Sequence, residues 1–214
     1  MKTTSLETLS ISQSPGLLDA RKQDGLDPLS SIGDLFDLPP DLVYLDGNSL
    51  GAMPAVVPEK IQEAVTEGWR TGLIRSWNDR DWHILPLTLG NRLAPLMGAN
   101  AGEVLVVDST SINLFKTLSA ALEMRPDRTE IVSERDNFPS DLHIIQGAIT
   151  HFYPQHKLVE GKESDESILE LIGPSTAVVT LTQVSYRTGF IRDMERITKE
   201  AHRAGALVIW DLAH

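Results

Sequence analysis

From residue 101 to the end, the chain alternates short apolar runs with amphipathic stretches. The apolar runs are "EVLVVD", "EIVSE", "TAVVTLTQV" and "ALVIWD". Between them lie "SINLFKTLSAALEM", "SDLHIIQGAI", "DESILELIG" and "DMERITKEAHRAG", whose apolar residues recur every three or four positions. "HFYPQHKLV" reads as a turn followed by a further strand. Apolar runs of this length, continuous rather than alternating, predict strands buried on both faces, and helical stretches between them predict crossover connections. The expected fold class is therefore α/β, a mainly parallel sheet flanked by helices. Ligands of such sheets bind at the C-terminal tips of the strands, which places the candidate residues there.

The part before residue 101 is less regular. The first forty residues read as a helical arm broken at Gly25 and Pro28. "VYLDGNSLGAMP" reads as a short strand opening into a Gly- and Asn-rich turn, and Pro58 as the start of a helix, "PEKIQEAVTEGWR". A loop with two tryptophans, "IRSWNDRDW", leads to a second helix through "LPLTLGNRLAPLMG". No repeat or linker divides the chain, so the organisation expected is an arm and glycine turn over 1–57 and one domain over 58–214. A net charge of −11 argues against a nucleic-acid partner, which needs a basic face. The absence of cysteine excludes disulfides, thiolate zinc sites and a cysteine nucleophile. The first thirty residues lack an apolar signal core and no apolar run is long enough to span a membrane, so a cytoplasmic protein is expected. The histidines show no metal spacing with a carboxylate, and no metal is expected.

Four segments at expected strand ends carry polar chemistry. "DSTSINLF" sets Ser109, Thr110 and Ser111 at a helix start, where free N–H groups and hydroxyls suit a phosphate; Ser and Thr are equally common helix caps. "NFPSD" offers the aromatic face of Phe138 beside Pro139, Ser140 and Asp141, although Ser140 or Asp141 could simply cap a helix. "TLTQVSYRTG" ends a strand at Thr182, with Tyr186 and Arg187 in the following turn, and "VIWDLAH" ends another with Asp211 and His214. A carboxylate at the tip of an apolar strand is costly unless a cation or protonated nitrogen meets it. A phosphate, a flat ring and a ring nitrogen needing a counter-carboxylate together describe pyridoxal 5′-phosphate.

"YLDGNSLG", "GLIRSWN", "STSINLF", "NFPSD", "YRTG" and "WDLAH", taken in order, closely resemble the kynureninases of bacteria, from about residue 40 to the end. The resemblance implies the large domain of a fold-type I pyridoxal-phosphate enzyme, of the aspartate aminotransferase kind, incomplete at its C-terminus. It implies that Thr110 and Ser111 hold the cofactor phosphate, that Phe138 stacks on the ring, and that Pro139, Ser140 and Asp141 lie beside it. Thr182 would contact the cofactor, Asp211 would pair with the pyridinium nitrogen, and His214 would lie close by. Asn48, Ser49 and Trp77 would help form the substrate pocket. The implied reaction is hydrolysis of L-kynurenine, or its 3-hydroxy derivative, to anthranilate and L-alanine in tryptophan catabolism, by a homodimer.

The lysine that binds the cofactor covalently in that family, and the arginine that binds the substrate carboxylate, would both fall beyond His214. No catalytic residue is therefore expected within the 214 residues, and the chain alone is expected to be inactive. None of its lysines (Lys2, Lys22, Lys60, Lys116, Lys157, Lys162, Lys199) is expected at a suitable strand end. The competing expectations are another fold-type I enzyme, such as a cysteine desulfurase or an aromatic amino-acid lyase, and a truncated, non-catalytic paralogue. "GNSLG" and "FPSD" argue against the first two.

Overall fold

The computed structural model describes residues 16–214. The polar opening stretch that bears on the signal-sequence expectation lies, up to residue 15, outside the described residues. The chain groups into two compact units that meet in sequence between Arg80 and Asp81.

In the first unit, α1 (Leu17–Asp24) ends at Gly25, and a 3-10 turn covers Ser30–Leu35. A single antiparallel bridge joins Phe36 to Pro54. Helix α2 (Val57–Glu63), with Pro58 in its first turn, runs on as π-helical turns over Ala64–Gly72 and then a 3-10 turn over Leu73–Arg75. The short α3 (Ser76–Asp79) closes the unit, and the Ser76 hydroxyl donates to the carbonyl of Gly68 at 2.7 Å. The strand expected in "VYLD" does not form. No other segment among the described residues offers Val43–Asp46 a ladder, and Val43 and Leu45 are exposed.

The second unit opens with α4 (Leu85–Met97) and α5 (Thr110–Glu123). Then follow β1 (Glu130–Glu134), α6 (Pro139–His151), β2 (Lys157–Gly161), α7 (Asp165–Leu169), β3 (Thr176–Thr182), α8 (Met194–Arg203) and β4 (Leu207–Asp211). All three pairings are parallel, and the strand order is β2-β1-β3-β4. Ile131 and Val178 face α5 and α6 in one apolar cluster, through Leu118, Leu122, Ile145 and Ala148. Val132, Val179 and Leu181 face α7 and α8 in the other, through Ile168, Ile197 and Ala201. The sheet is thus covered on both faces, as its unbroken apolar runs require.

"EVLVVD" departs from expectation. Residues 104–107 join no strand; Val106 N–H donates to the carbonyl of Pro86 at 3.1 Å, to α4 rather than to a ladder. Leu105 and Val106 are exposed, so apolar composition alone did not secure a place in the sheet. Gly90 allows the contact: a Cβ there would stand 1.9 Å from the carbonyl oxygen of Val104. Replacing Gly90 with Ala must push α4 and this segment apart, at a cost of about 2–3 kcal/mol in unfolding free energy. Gly147, inside α6 with open space around it, is the control, and Gly147→Ala should stabilise by about 0.5–1 kcal/mol. Urea denaturation of the two variants checks both; equal midpoints would contradict the packing just described.

Candidate functional site

The strand order places a reversal between β1 and β3. The chain leaves β1 to one side to form β2, crosses over it to β3, and continues outward to β4. Right-handed crossovers then demand opposite faces for α6 and for α7 and α8, so the connections leaving β1 and β3 diverge at the C-terminal end of the sheet. The loops that follow these tips carry Phe138 and Tyr186, and β4 ends on Asp211 beside Thr182, its partner in the ladder.

Phe138 is held by a small polar network. Asn137 is buried, its side-chain oxygen accepts from Phe138 N–H at 2.8 Å, and its amide donates to the Ser133 hydroxyl at 3.1 Å. Ser133 in turn donates to the carbonyl of Thr180 at 2.8 Å, tying the end of β1 to β3. The half-buried Phe138 ring meets two others: Tyr186 edge-on at 5.1 Å and His214 tilted at 5.5 Å between centroids. Pro139 begins α6, and the Ser140 hydroxyl donates to Asp141 Oδ1 at 3.3 Å.

Asp141, in the first turn of α6, is fully buried, and its Oδ2 has no hydrogen-bond partner. Burial, reinforced by the like charge of Asp211, pushes its carboxyl up to about 6. The ion pairs formed among the described residues include neither carboxylate. Asp141 and Asp211 line one cavity of about 280 Å³ with Thr110, Asn113 and Thr117 of α5. Thr110 therefore reaches the site even though the segment before it is not a strand. Ser109 caps α5, accepting from Ile112 N–H at 3.5 Å, and Thr110 and Ser111 form its first turn. The preceding residue, Asp108, has φ +39 and is ion-paired with Lys116, so the loop is pinned to the helix it precedes.

Thr110, Asp141 and Asp211 thus share one cavity, and Phe138 and His214 share one aromatic cluster. Asn48 and Ser49 lie in an exposed turn of the first unit, which the Tyr44 hydroxyl closes by donating to the carbonyl of Leu50. Trp77, in α3, belongs to that unit too. Asn137 and Ser133 escaped the sequence reading, with the Asn before the Phe–Pro helix start the one legible hint; Tyr186, read there only as a turn residue, joins the aromatic cluster. Among the described lysines, Lys162 follows a strand directly, but not one near these residues. That strand is β2, on the opposite edge of the sheet from Asp211, roughly 14 Å away across three ladders. Among the described residues no group of three or more His, Asp or Glu could hold a metal ion, and no helix is long and apolar enough to cross a membrane.

The unpaired carboxyl has a pH signature. With its value raised from 3.8 to about 6, native Asp141 holds a proton more tightly than the unfolded chain does. Its cost is absent below pH 3.8 and fully present above pH 6, on the order of 3 kcal/mol. Asp141→Asn should therefore stabilise the cofactor-free chain at pH 7 and change little at pH 4. Urea midpoints at the two pH values decide; a variant-minus-parent difference that does not move with pH would contradict it.

A kynureninase of Pseudomonas fluorescens is 47% identical over 200 residues, covering 92% of this chain and 48% of the relative. One from Burkholderia pseudomallei is 46% identical with the same coverage. The chain spans about half the length of the curated relatives it matches. Among solved structures, a C-DES mutant with glycine covalently linked to its PLP cofactor superposes with a TM-score of 0.69 at 16% identity, over 88% of this chain and 50% of that one. That likeness speaks for the fold, the partly built large domain expected from sequence. The aminotransferase class-V model matches residues 43–214, and the chain belongs to that family.

Proposed function

We propose that this chain is the cofactor-binding half of a kynureninase, hydrolysing L-kynurenine to anthranilate and L-alanine with pyridoxal 5′-phosphate. The carrying observation is the Asp141–Asp211 pair: two carboxylates in one cavity, one fully buried with an oxygen lacking any partner, and neither ion-paired. Such a pair fits a ligand that brings a protonated nitrogen. The kynureninases among its relatives supply the substrate class.

The residues present fit the cofactor. Thr110 and Ser111 would take the phosphate on their hydroxyls and on the free N–H groups of the first turn of α5. Phe138, with Pro139 and Ser140 behind it, would offer the ring a flat apolar face. Asp211, supported by Asp141, would hold a proton on the pyridine nitrogen, and Thr182 and His214 would border the ring. When bound, the cofactor supplies the sink for the electrons of the breaking bond. Residues 58–214 would make up this partial domain and 1–57 its arm and glycine turn, with Asn48, Ser49 and Trp77 contributing to the pocket for L-kynurenine or its 3-hydroxy derivative.

A cytoplasmic homodimer completes the reading. The described residues of the first unit bury only Gly68 and Ser76 while exposing Leu17, Leu18, Val43, Leu45 and Ile74, an apolar surface that a partner subunit would cover. Sedimentation equilibrium of the whole protein should give twice the subunit mass, and a monomer at micromolar concentration would count against it.

The activity test uses this chain together with the remainder its relatives carry. It should release fluorescent anthranilate from L-kynurenine, and Asp211→Asn should lower kcat on the order of a hundredfold. Sulfide released from L-cysteine with no anthranilate would overturn the reading in favour of a desulfurase.

A further inference from the structure

We propose that Arg192 is a positioning residue for the aromatic wall of the site, holding Tyr186 against Phe138 and His214 by anchoring the roots of two loops at once. The loop after β3 folds into a hairpin from Gln183 to Arg192. Its arms are joined by the Val184–Ile191 bridge, by Ser185 N–H donating to the carbonyl of Phe190 at 2.9 Å, and by Arg192 N–H donating to the carbonyl of Gln183 at 3.0 Å. Tyr186 rides on one arm. Its ring stands 5.1 Å from Phe138 and 6.3 Å from His214.

Arg192 sits at the base of this hairpin, and its side chain is 2% exposed. The guanidinium pairs with Glu134, the last residue of β1, and with Asp165 at 3.2 Å, the first residue of α7, and it packs over the Phe190 ring at 5.5 Å. Asp165 also accepts from Asp193 N–H at 3.0 Å, next to Arg192 in the chain. The ends of β1, β2 and β3 are thereby tied at one buried point. Glu134 also accepts, through its carbonyl, the N–H of Asn137 at 3.2 Å, and Asn137 holds Phe138. One ion pair therefore roots both the loop that carries Phe138 and the hairpin that carries Tyr186.

A buried arginine with two carboxylates adds little net stability, because desolvation offsets most of the attraction; what it fixes is geometry, through the planar fork of the guanidinium. The hairpin tip has two further ties, Arg187 to Asp136 at 3.0 Å and the Thr188 hydroxyl donating to Glu163 at 2.7 Å, but these are exposed. Exposed contacts hold a loop weakly. The buried base sets the position of Tyr186.

This inference rests on the proposed cofactor site for its functional meaning, though not for its geometry, and the test separates the two. In the cofactor-free 214-residue chain, nuclear Overhauser contacts between the Tyr186 and Phe138 ring protons should be present. They should be lost in Arg192→Lys, which keeps the charge and loses the fork, and kept in Glu163→Gln, which loosens only the tip. Should Arg192→Lys unfold, Asp165→Asn removes one partner alone and should weaken the same contacts.

Pyridoxal phosphate affinity, followed by absorbance, should fall about five- to tenfold in Arg192→Lys and in Tyr186→Ala. The double variant should bind no more weakly than Tyr186→Ala, because Arg192 acts through that ring. Persisting ring contacts in Arg192→Lys, or independent multiplication of the two affinity losses, would overturn the proposal. If the parent chain takes up no pyridoxal phosphate but Arg192→Lys loses the ring contacts, the positioning role stands and the cofactor reading fails.

Discussion

The handedness of the parallel crossovers governs this molecule. Because β2 lies outside β1 and β3 lies on its other side, α6 must cover one face of the sheet while α7 and α8 cover the other. The loops leaving β1 and β3 then part in opposite directions. Phe138, Tyr186, Thr182 and Asp211 all follow from that one parting. The core that enforces it is ordinary: Ile131 and Val132, or Val178 and Val179, point to opposite faces and bury both.

Strand and helix identities within the second unit were legible because they rest on local periodicity and burial. "EIVSE", "TAVVTLTQV" and "ALVIWD" became β1, β3 and β4, and the amphipathic stretches between them became helices. The same reasoning failed at "EVLVVD" and "VYLD", which have strand composition and no strand to pair with. A ladder is a property of two segments, and no single apolar run contains its partner. The site divides along the same line. Asp211 and Thr182 could be read from strand tips, and Thr110 from a helix start, since each depends on its own neighbours. The Arg192–Glu134 pair spans 58 residues and the Tyr186–Phe138 contact depends on a hairpin folding back; neither leaves a mark in local sequence.

Two charge clusters sit at the same end of the sheet, and they are built differently. Around Arg192 a cation meets two carboxylates, Glu134 and Asp165. Around Asp141 the chain buries a carboxylate against another, Asp211, and supplies no cation among the described residues. The first cluster shows that this fold can supply a cation to carboxylates at a strand tip, one to two. The imbalance in the second is therefore local to the cavity shared with Thr110.

That imbalance favours binding of one charge type. Burial and the charge of Asp211 push the Asp141 carboxyl up to about 6, so above that pH both carboxylates are charged and repel each other. In the proposed complex, a ligand nitrogen that carries its own proton and meets Asp211 would offset the repulsion between the two carboxylates. A neutral ring of the same shape would fill the cavity and leave the electrostatic cost in place. Under the proposed function, the cost of the unpaired carboxyl would thus become selectivity for the protonated ring, the state in which such a ring accepts electrons.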